Sequence, residues 1–252
     1  MPYLSRIFLN PARRQARRLL TDPQAMHAAV LAGLPAQPVM QRVLWRLDTD
    51  NALRPGLFVL TQTLPSWEHL TEQAGWPQAD DPTNPQVLVR DYQPLLGRLT
   101  AGMELAFRLT ANPSQSSRRP ELLTAAQKER ATEGILPRST RLGHRTQLAQ
   151  TEWLLTRANG WGFEIPGSSA SDAVGAAIPD LRITAKARTT FRRVSSAARV
   201  VIQVVTYEGR LRVLDQYRLG EAMQNGLGPA KAYGCGLLTL APLDRSPGRS
   251  RQ

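Results

Sequence analysis

His27 lies in "DPQAMHAAVLAGLP", Asp22 to Pro35, directly after a run that holds Arg13, Arg14, Arg17 and Arg18. An imidazole titrates near pH 6.5, so a histidine beside a bound phosphate can take or give a proton near neutrality, which is worth about 10² to 10⁴ in rate. Asp22 can cap a helix and Pro23 suits its first position, which puts His27 within the first two turns. The free N–H groups and dipole of a helix start attract a phosphate and disfavour imidazolium until that anion arrives. Gln24, one turn earlier, can hydrogen-bond a phosphate oxygen. The same residues also allow a histidine that merely flanks the apolar face of Met26, Val30, Leu31 and Leu34, with its polar edge in water.

A second constellation lies near the C-terminus, in "GLGPAKAYGCGLLTLAP", where Gly226, Gly228, Gly234 and Gly236 surround Lys231. Glycines permit positive φ and let backbone N–H groups approach a phosphate, and a lysine adds a point charge. The spacing is neither a Walker A loop nor a dinucleotide fingerprint. On these residues a phosphate cradle and a tight helix-to-strand connection are equally good readings.

Basic residues cluster elsewhere too. No acid lies between Asn10 and Thr21 to balance the arginine run, so RNA phosphate contact is favoured there over a solvated basic face. "ITAKARTTFRR" sets Lys186, Arg188, Arg192 and Arg193 in a β-like segment, where alternation can send several to one face. Of the remaining histidines, His69 sits in an acidic region and reads as structural, and His144 lies in "RLGHR". No His and carboxylate pair has metal-ligand spacing, and neither HExxH nor GxSxG occurs, so no metal or other cofactor is expected.

Composition agrees with a polyanionic partner. The 252 residues carry 32 Lys and Arg against 20 Asp and Glu, a formal charge of +12. The excess is uneven: Asp48 to Asp91 holds seven acids and two bases, Lys186 to Arg218 eight bases and two acids. One cysteine, Cys235, excludes an intramolecular disulfide. No membrane span or export signal is apparent, so a cytoplasmic protein is expected. Aromatic residues are 6% and the RRM stacking motif is absent, which argues against general binding of single strands by stacking.

Placing these residues requires an α+β fold. Strand Tyr3 to Leu9, the His27 helix, strands Val43 to Leu47 and Leu57 to Leu64, a helix in "PSWEHLTEQAG" capped by Ser66, and a strand within Gln86 to Tyr92 give a βαββαβ order. The order repeats: strand Met103 to Thr110, helix Thr146 to Ala158 closed by Asn159-Gly160, strands near Phe163 and between Leu181 and Phe191, helix Arg218 to Gln224 and strand Gly236 to Leu240. Within it, "RVVIQVVTY" and "RLRVLD" are expected to form a hairpin that turns at Glu208-Gly209. Two tandem ferredoxin-like domains follow, 1–97 and 98–243, with a loosely structured stretch from Asn112 to Gly143, in which "ELLTAAQKERA" can be a short helix, and a disordered basic tail, 244–252.

The glycine-rich segment resembles the C-terminal loop of the CasE family, CRISPR-associated endoribonucleases that process precursor CRISPR RNA in type I-E systems. "YLSRIFLN", the basic run, "MH" on the first helix, "VLWRLD" and "RLTANP" are similar to further landmarks of that family, in its order. The resemblance implies tandem ferredoxin-like, or RRM-like, domains and a metal-independent ribonuclease. Such an enzyme cuts a repeat hairpin at the 3′ base of its stem by 2′-hydroxyl attack, leaving a 2′,3′-cyclic phosphate and a 5′-hydroxyl, and stays with the product in the Cascade complex. It implies that His27 is the catalytic histidine, that the region of Lys186 to Arg193 grips the stem, and that His144 contacts RNA. Where some relatives carry a tyrosine and a basic residue, this chain has Gln24 and Ala28, which keeps a non-catalytic hairpin-binding subunit as the alternative.

Overall fold

The structure, a computed structural model, describes residues 1–76, 84–117, 140–171, 177–192 and 199–243. Its first sheet is built from β1 (Tyr3–Phe8), β2 (Leu44–Asp48), β3 (Gly56–Thr61) and β4 (Val87–Asp91), in the order β2-β3-β1-β4 with every neighbouring pair antiparallel. Helices α1 (Arg14–Thr21) and α2 (Pro23–Ala32) cross from β1 to β2, α3 (Glu68–Ala74) crosses from β3 to β4, and the short α4 (Gln93–Leu96) follows β4. This is the ferredoxin-like order. The arginine run forms a helix of its own, which ends where Asp22 and Pro23 start the next.

Side chains alternate across each strand and so divide this sheet between two cores. Ile7, Trp45, Leu57 and Val59 pack on Ala16, Leu19, Met26, Val30 and Leu70 of the helices. On the opposite face, Leu4, Leu44, Phe58 and Leu60 join the core of the second domain. A sheet buried on both faces cannot part from its neighbour without exposing apolar surface.

The second sheet runs β11 (Leu181–Arg192), β12 (Arg199–Val213), β5 (Glu104–Ala111), β13 (Leu238–Ala241), all antiparallel, with short β8 (Phe163–Glu164) against β12. With α5 (Gln147–Ala158) after the first of these strands and α6 (Gln216–Asn225) before the last, it repeats the ferredoxin-like order. Small antiparallel pairs are added by β6 (Ser114–Ser117) with β7 (Thr140–Gly143) and by β9 (Gly167–Ser171) with β10 (Ala177–Pro179). The pair β6 and β7 corrects the expectation of loose structure at both ends of Asn112 to Gly143. The "ELLTAAQKERA" segment and the tail from 244 lie outside the described residues.

Three local expectations are overturned. Glu208 and Gly209 do not turn: β12 runs straight through them, and the long hairpin is formed by β11 with β12. The glycine serves close approach instead, because a Cβ there would lie 2.1 Å from the carbonyl oxygen of Asp180, to which Arg210 N–H donates at 3.0 Å. Ser66 does not cap α3: the helix starts after Trp67, which holds the N-cap position with no side-chain cap bond. Finally, α5 runs on beyond Asn159-Gly160 as a 3-10 turn to Trp161, and the chain reverses at Gly162 with φ of 85°.

One buried cation joins the domains. Arg46 of β2, 2% exposed, donates to both carboxylate oxygens of Asp48 at 2.7 and 3.0 Å and reaches across to the carbonyls of Arg108 and Leu237 and the hydroxyl of Thr239. All three groups across the boundary belong to the second domain. Asp48 also pairs with Arg108 at 3.1 Å, and Arg108 pairs in turn with Asp50 and Glu208.

Candidate active site and RNA interface

Helix α2 starts as its sequence dictates. The Asp22 carboxylate accepts from Gln24 N–H at 2.9 Å, Pro23 occupies the first turn, and Met26 and Val30 are buried in the first core. That packing turns His27 to the flank of the helix. Its ring is half-buried, Nδ1 is buried with no hydrogen-bond partner, and burial holds its pKa below the ordinary histidine value. An imidazolium would need acceptors for two N–H groups, so the neutral form is the one this setting favours.

The glycine-rich loop supplies the other wall. Gly226, Gly228, Gly234 and Gly236 all have positive φ, and so does Ala230. Their missing side chains leave room for close packing: a Cβ on Gly226 would lie 2.6 Å from Leu44, one on Gly234 2.7 Å from Trp45, and one on Gly228 2.9 Å from Trp153. Leu44 and Trp45 belong to β2 and Trp153 to α5, so the loop is wedged against both domains. Its 3-10 turn, Lys231–Tyr233, is thereby set beside α2.

His27 and Lys231 line one cleft of about 190 Å³, together with Leu31, Val39, Gln41, Arg42, Val43 and Ala232. A neighbouring concavity of about 570 Å³ shares Arg42 and Lys231 and adds Gly228 to Ala230 and Tyr233. The Lys231 ammonium is held below its ordinary pKa, first by burial and then by the charge of Arg42. No acidic side chain among the described residues lines either cavity. Among the described residues, no group of three or more His, Cys, Asp and Glu side chains gathers as a metal cluster would. The only thiol, Cys235, is buried, with its pKa pushed up to about 12, so it stays protonated.

The expected basic residues divide by position. Arg13 donates to the Glu72 carbonyl, and Arg17 donates to that of Ala12 at 2.8 Å, while Arg14 and Arg18 are exposed on α1. None of the four lines the His27 cleft. Gln24 is half-buried one turn before His27 and does not line it either. Lys186 and Arg188 are exposed on β11, Lys186 level with the last residue of β5 and Arg188 beyond it, where β11 and β12 continue as a two-stranded ribbon. Lys186 Nζ donates to Gln147 at 3.3 Å, close in the chain to His144, whose N–H is held by the Pro113 carbonyl. Arg192 is described in its main chain alone, and Arg193 lies outside the described residues.

Other arginines of the basic stretch are neutralised: Arg210 and Arg212 pair with Glu104, and Arg218 with Asp215. The ribbon returns toward the cleft through Phe191, whose ring centroid is 4.4 Å from that of Tyr233 in the glycine-rich loop. Arg42, Phe191 and Tyr233 were not singled out by sequence reasoning. Tyr233 lies in the glycine-rich loop itself, whereas Arg42 and Phe191 carry no motif spacing and only the packing of β2 and the ribbon brings them to it.

A family model described as "CRISPR associated protein" matches residues 2–242. The chain belongs to the CasE family of CRISPR-associated proteins. Among relatives of this CasE-family chain, the CRISPR-associated endoribonuclease Cse3 of Thermus thermophilus is 31% identical over 248 residues, covering 95% of this chain and all of the relative. The Cascade subunit CasE of Escherichia coli is 55% identical over 42 residues, 17% of this chain and 21% of its own length. A structure of Thermus thermophilus Cse3 bound to an RNA representing a pre-cleavage complex superposes with a TM-score of 0.72 at 30% identity, covering 96% of this chain and 99% of that one.

Proposed function

We propose that this CasE-family protein is a metal-independent endoribonuclease that cuts the repeat hairpin of precursor CRISPR RNA and stays on the mature guide RNA as a Cascade subunit. The observation that carries the reading is His27, favoured in its neutral form, facing a cleft whose charged lining among the described residues is Arg42 and Lys231. Family membership and the Cse3 relatives support the substrate. The cytoplasm is the compartment that fits, and among the described residues no helix is long and apolar enough to cross a membrane.

In this mechanism neutral His27 takes the proton of the 2′-hydroxyl before the cut. The 2′-oxygen bonds to phosphorus, the bond from phosphorus to the 5′-oxygen breaks, and the departing oxygen is protonated. Lys231 steadies the charge that grows on the phosphoryl oxygens. Lys186, Arg188, Arg192, Arg193 and His144 hold the stem, and the arginines of α1 add phosphate contacts. Mapping the ends of a cleaved repeat hairpin tests the reaction: 2′,3′-cyclic phosphate and 5′-hydroxyl ends are expected, and 3′-hydroxyl with 5′-phosphate ends would refute it.

The pH profile follows from the same geometry. His27 must be neutral to accept a proton, and its pKa lies below the ordinary 6.5. The single-turnover rate at sub-saturating RNA is therefore expected to stay level as pH falls from about 8 past 6.5, and to drop only below that. A fall that begins above the ordinary value would contradict a desolvated base.

Stem contact by the ribbon has its own test. The double variant Lys186→Glu, Arg188→Glu removes two cations from the ribbon surface, and each lost phosphate contact lowers the slope of log K against log salt by about 1. A slope flattened by about 2 is expected. An unchanged slope would take the ribbon out of the interface.

A further inference from the structure

We propose that Arg42, acting with Lys231, forms a pocket for the phosphate at the 3′ end of the cleaved hairpin, binding first the scissile phosphate and then the cyclic phosphate that replaces it. The proposal rests on the endoribonuclease reading for the identity of that end group, and the pocket itself rests on geometry. Arg42 and Lys231 together line both the His27 cleft and the wider concavity beside it. Two cations lining the same cavities repel each other, and the Lys231 pKa is lowered first by burial and then by the charge of Arg42.

Several arginines elsewhere in the fold are answered by carboxylates. Arg46 has Asp48, Arg108 has Asp48, Asp50 and Glu208, and Arg210 and Arg212 share Glu104. Among the described residues, Arg42 and Lys231 have no such partner and nothing acidic lines either cavity they share. An anion bound between them relieves the repulsion and supplies the missing acceptors, as charge-assisted hydrogen bonds to phosphate do.

The site is also fixed in place. Arg42 immediately precedes Val43, Leu44 and Trp45, which are buried, and Gly226 and Gly234 close the loop of Lys231 down on Leu44 and Trp45. The two cations are therefore held by one packed unit, with His27 on the adjoining helix. A diester phosphate brings one negative charge to this pocket before cleavage, and the cyclic phosphate keeps one there afterwards. Retention of the product then has a local cause, separate from the grip on the stem.

The experiment compares two hairpins of the cleaved length that differ only at the 3′ end, one with a 2′,3′-cyclic phosphate and one with a 2′,3′-diol. Wild-type protein is expected to bind the cyclic-phosphate hairpin about tenfold tighter, the factor that corresponds to one charge-assisted contact. Arg42→Gln is expected to reduce that ratio to below about threefold, and Arg42→Lys to restore part of it. Arg42 is exposed, so its replacement leaves the core intact. Equal ratios for wild type and Arg42→Gln, or no end-group preference in the wild type, would overturn the proposal. The measurement needs no cleavage: a protein that discriminates the ends through Arg42 and cuts nothing would keep the pocket and refute the enzymatic reading, whereas one that cuts without discriminating would do the reverse.

Discussion

Replacing His27 by alanine is expected to slow single-turnover cleavage of the repeat hairpin by about 10² to 10⁴-fold while leaving hairpin affinity within about threefold. The size follows from loss of the proton acceptor for the 2′-hydroxyl. The separation of rate from binding follows from the setting of the side chain. Nδ1 has no hydrogen-bond partner to lose, and α2 is held by Met26, Val30 and the Asp22 cap, none of which the substitution touches. Cleavage rate and hairpin Kd measured on the same preparation check this. A parallel loss of both would make His27 a structural residue of the cleft.

The second large effect concerns the domain boundary. Arg46→Met is expected to destabilise the protein by about 3 to 5 kcal/mol, the usual consequence of breaking one side of a buried ion pair. Asp48 keeps Arg108 as a partner, but the carbonyls of Arg108 and Leu237 lose the donor that crosses to them. Methionine fills the volume of the arginine stem, so the loss reports hydrogen bonds and charge more than a cavity. Urea unfolding followed by fluorescence measures it. A change within about 1 kcal/mol would mean that the apolar contacts of Leu4, Leu44, Phe58 and Leu60 hold the domains together without Arg46.

How far the residues alone reach is clear from particular cases. The start of α2 could be read directly, because Asp22 and Pro23 act locally, and strands such as Tyr3–Phe8 follow from their bulky apolar and aromatic residues. The Glu208-Gly209 turn was misread because a glycine pressed against the Asp180 carbonyl looks, in sequence, the same as one that reverses the chain. The glycine-rich loop carried two readings, and its geometry explains why. Glycines that pack against Leu44, Trp45 and Trp153 are also what presents Lys231 to the cleft. Arg42 could not be found beforehand, since its contact with the loop spans most of the chain and depends on β2 lying between the two domains.

The central claim is metal-free cleavage by the 2′-hydroxyl, and the most direct test incubates the purified protein with its host's repeat RNA in EDTA, beside the same RNA carrying a 2′-deoxy nucleotide just before the cut. Cleavage of the first to a cyclic-phosphate end, with none of the second, is the predicted result. Tight binding without cleavage of either RNA, or cleavage that appears only when Mg²⁺ is added, would contradict it.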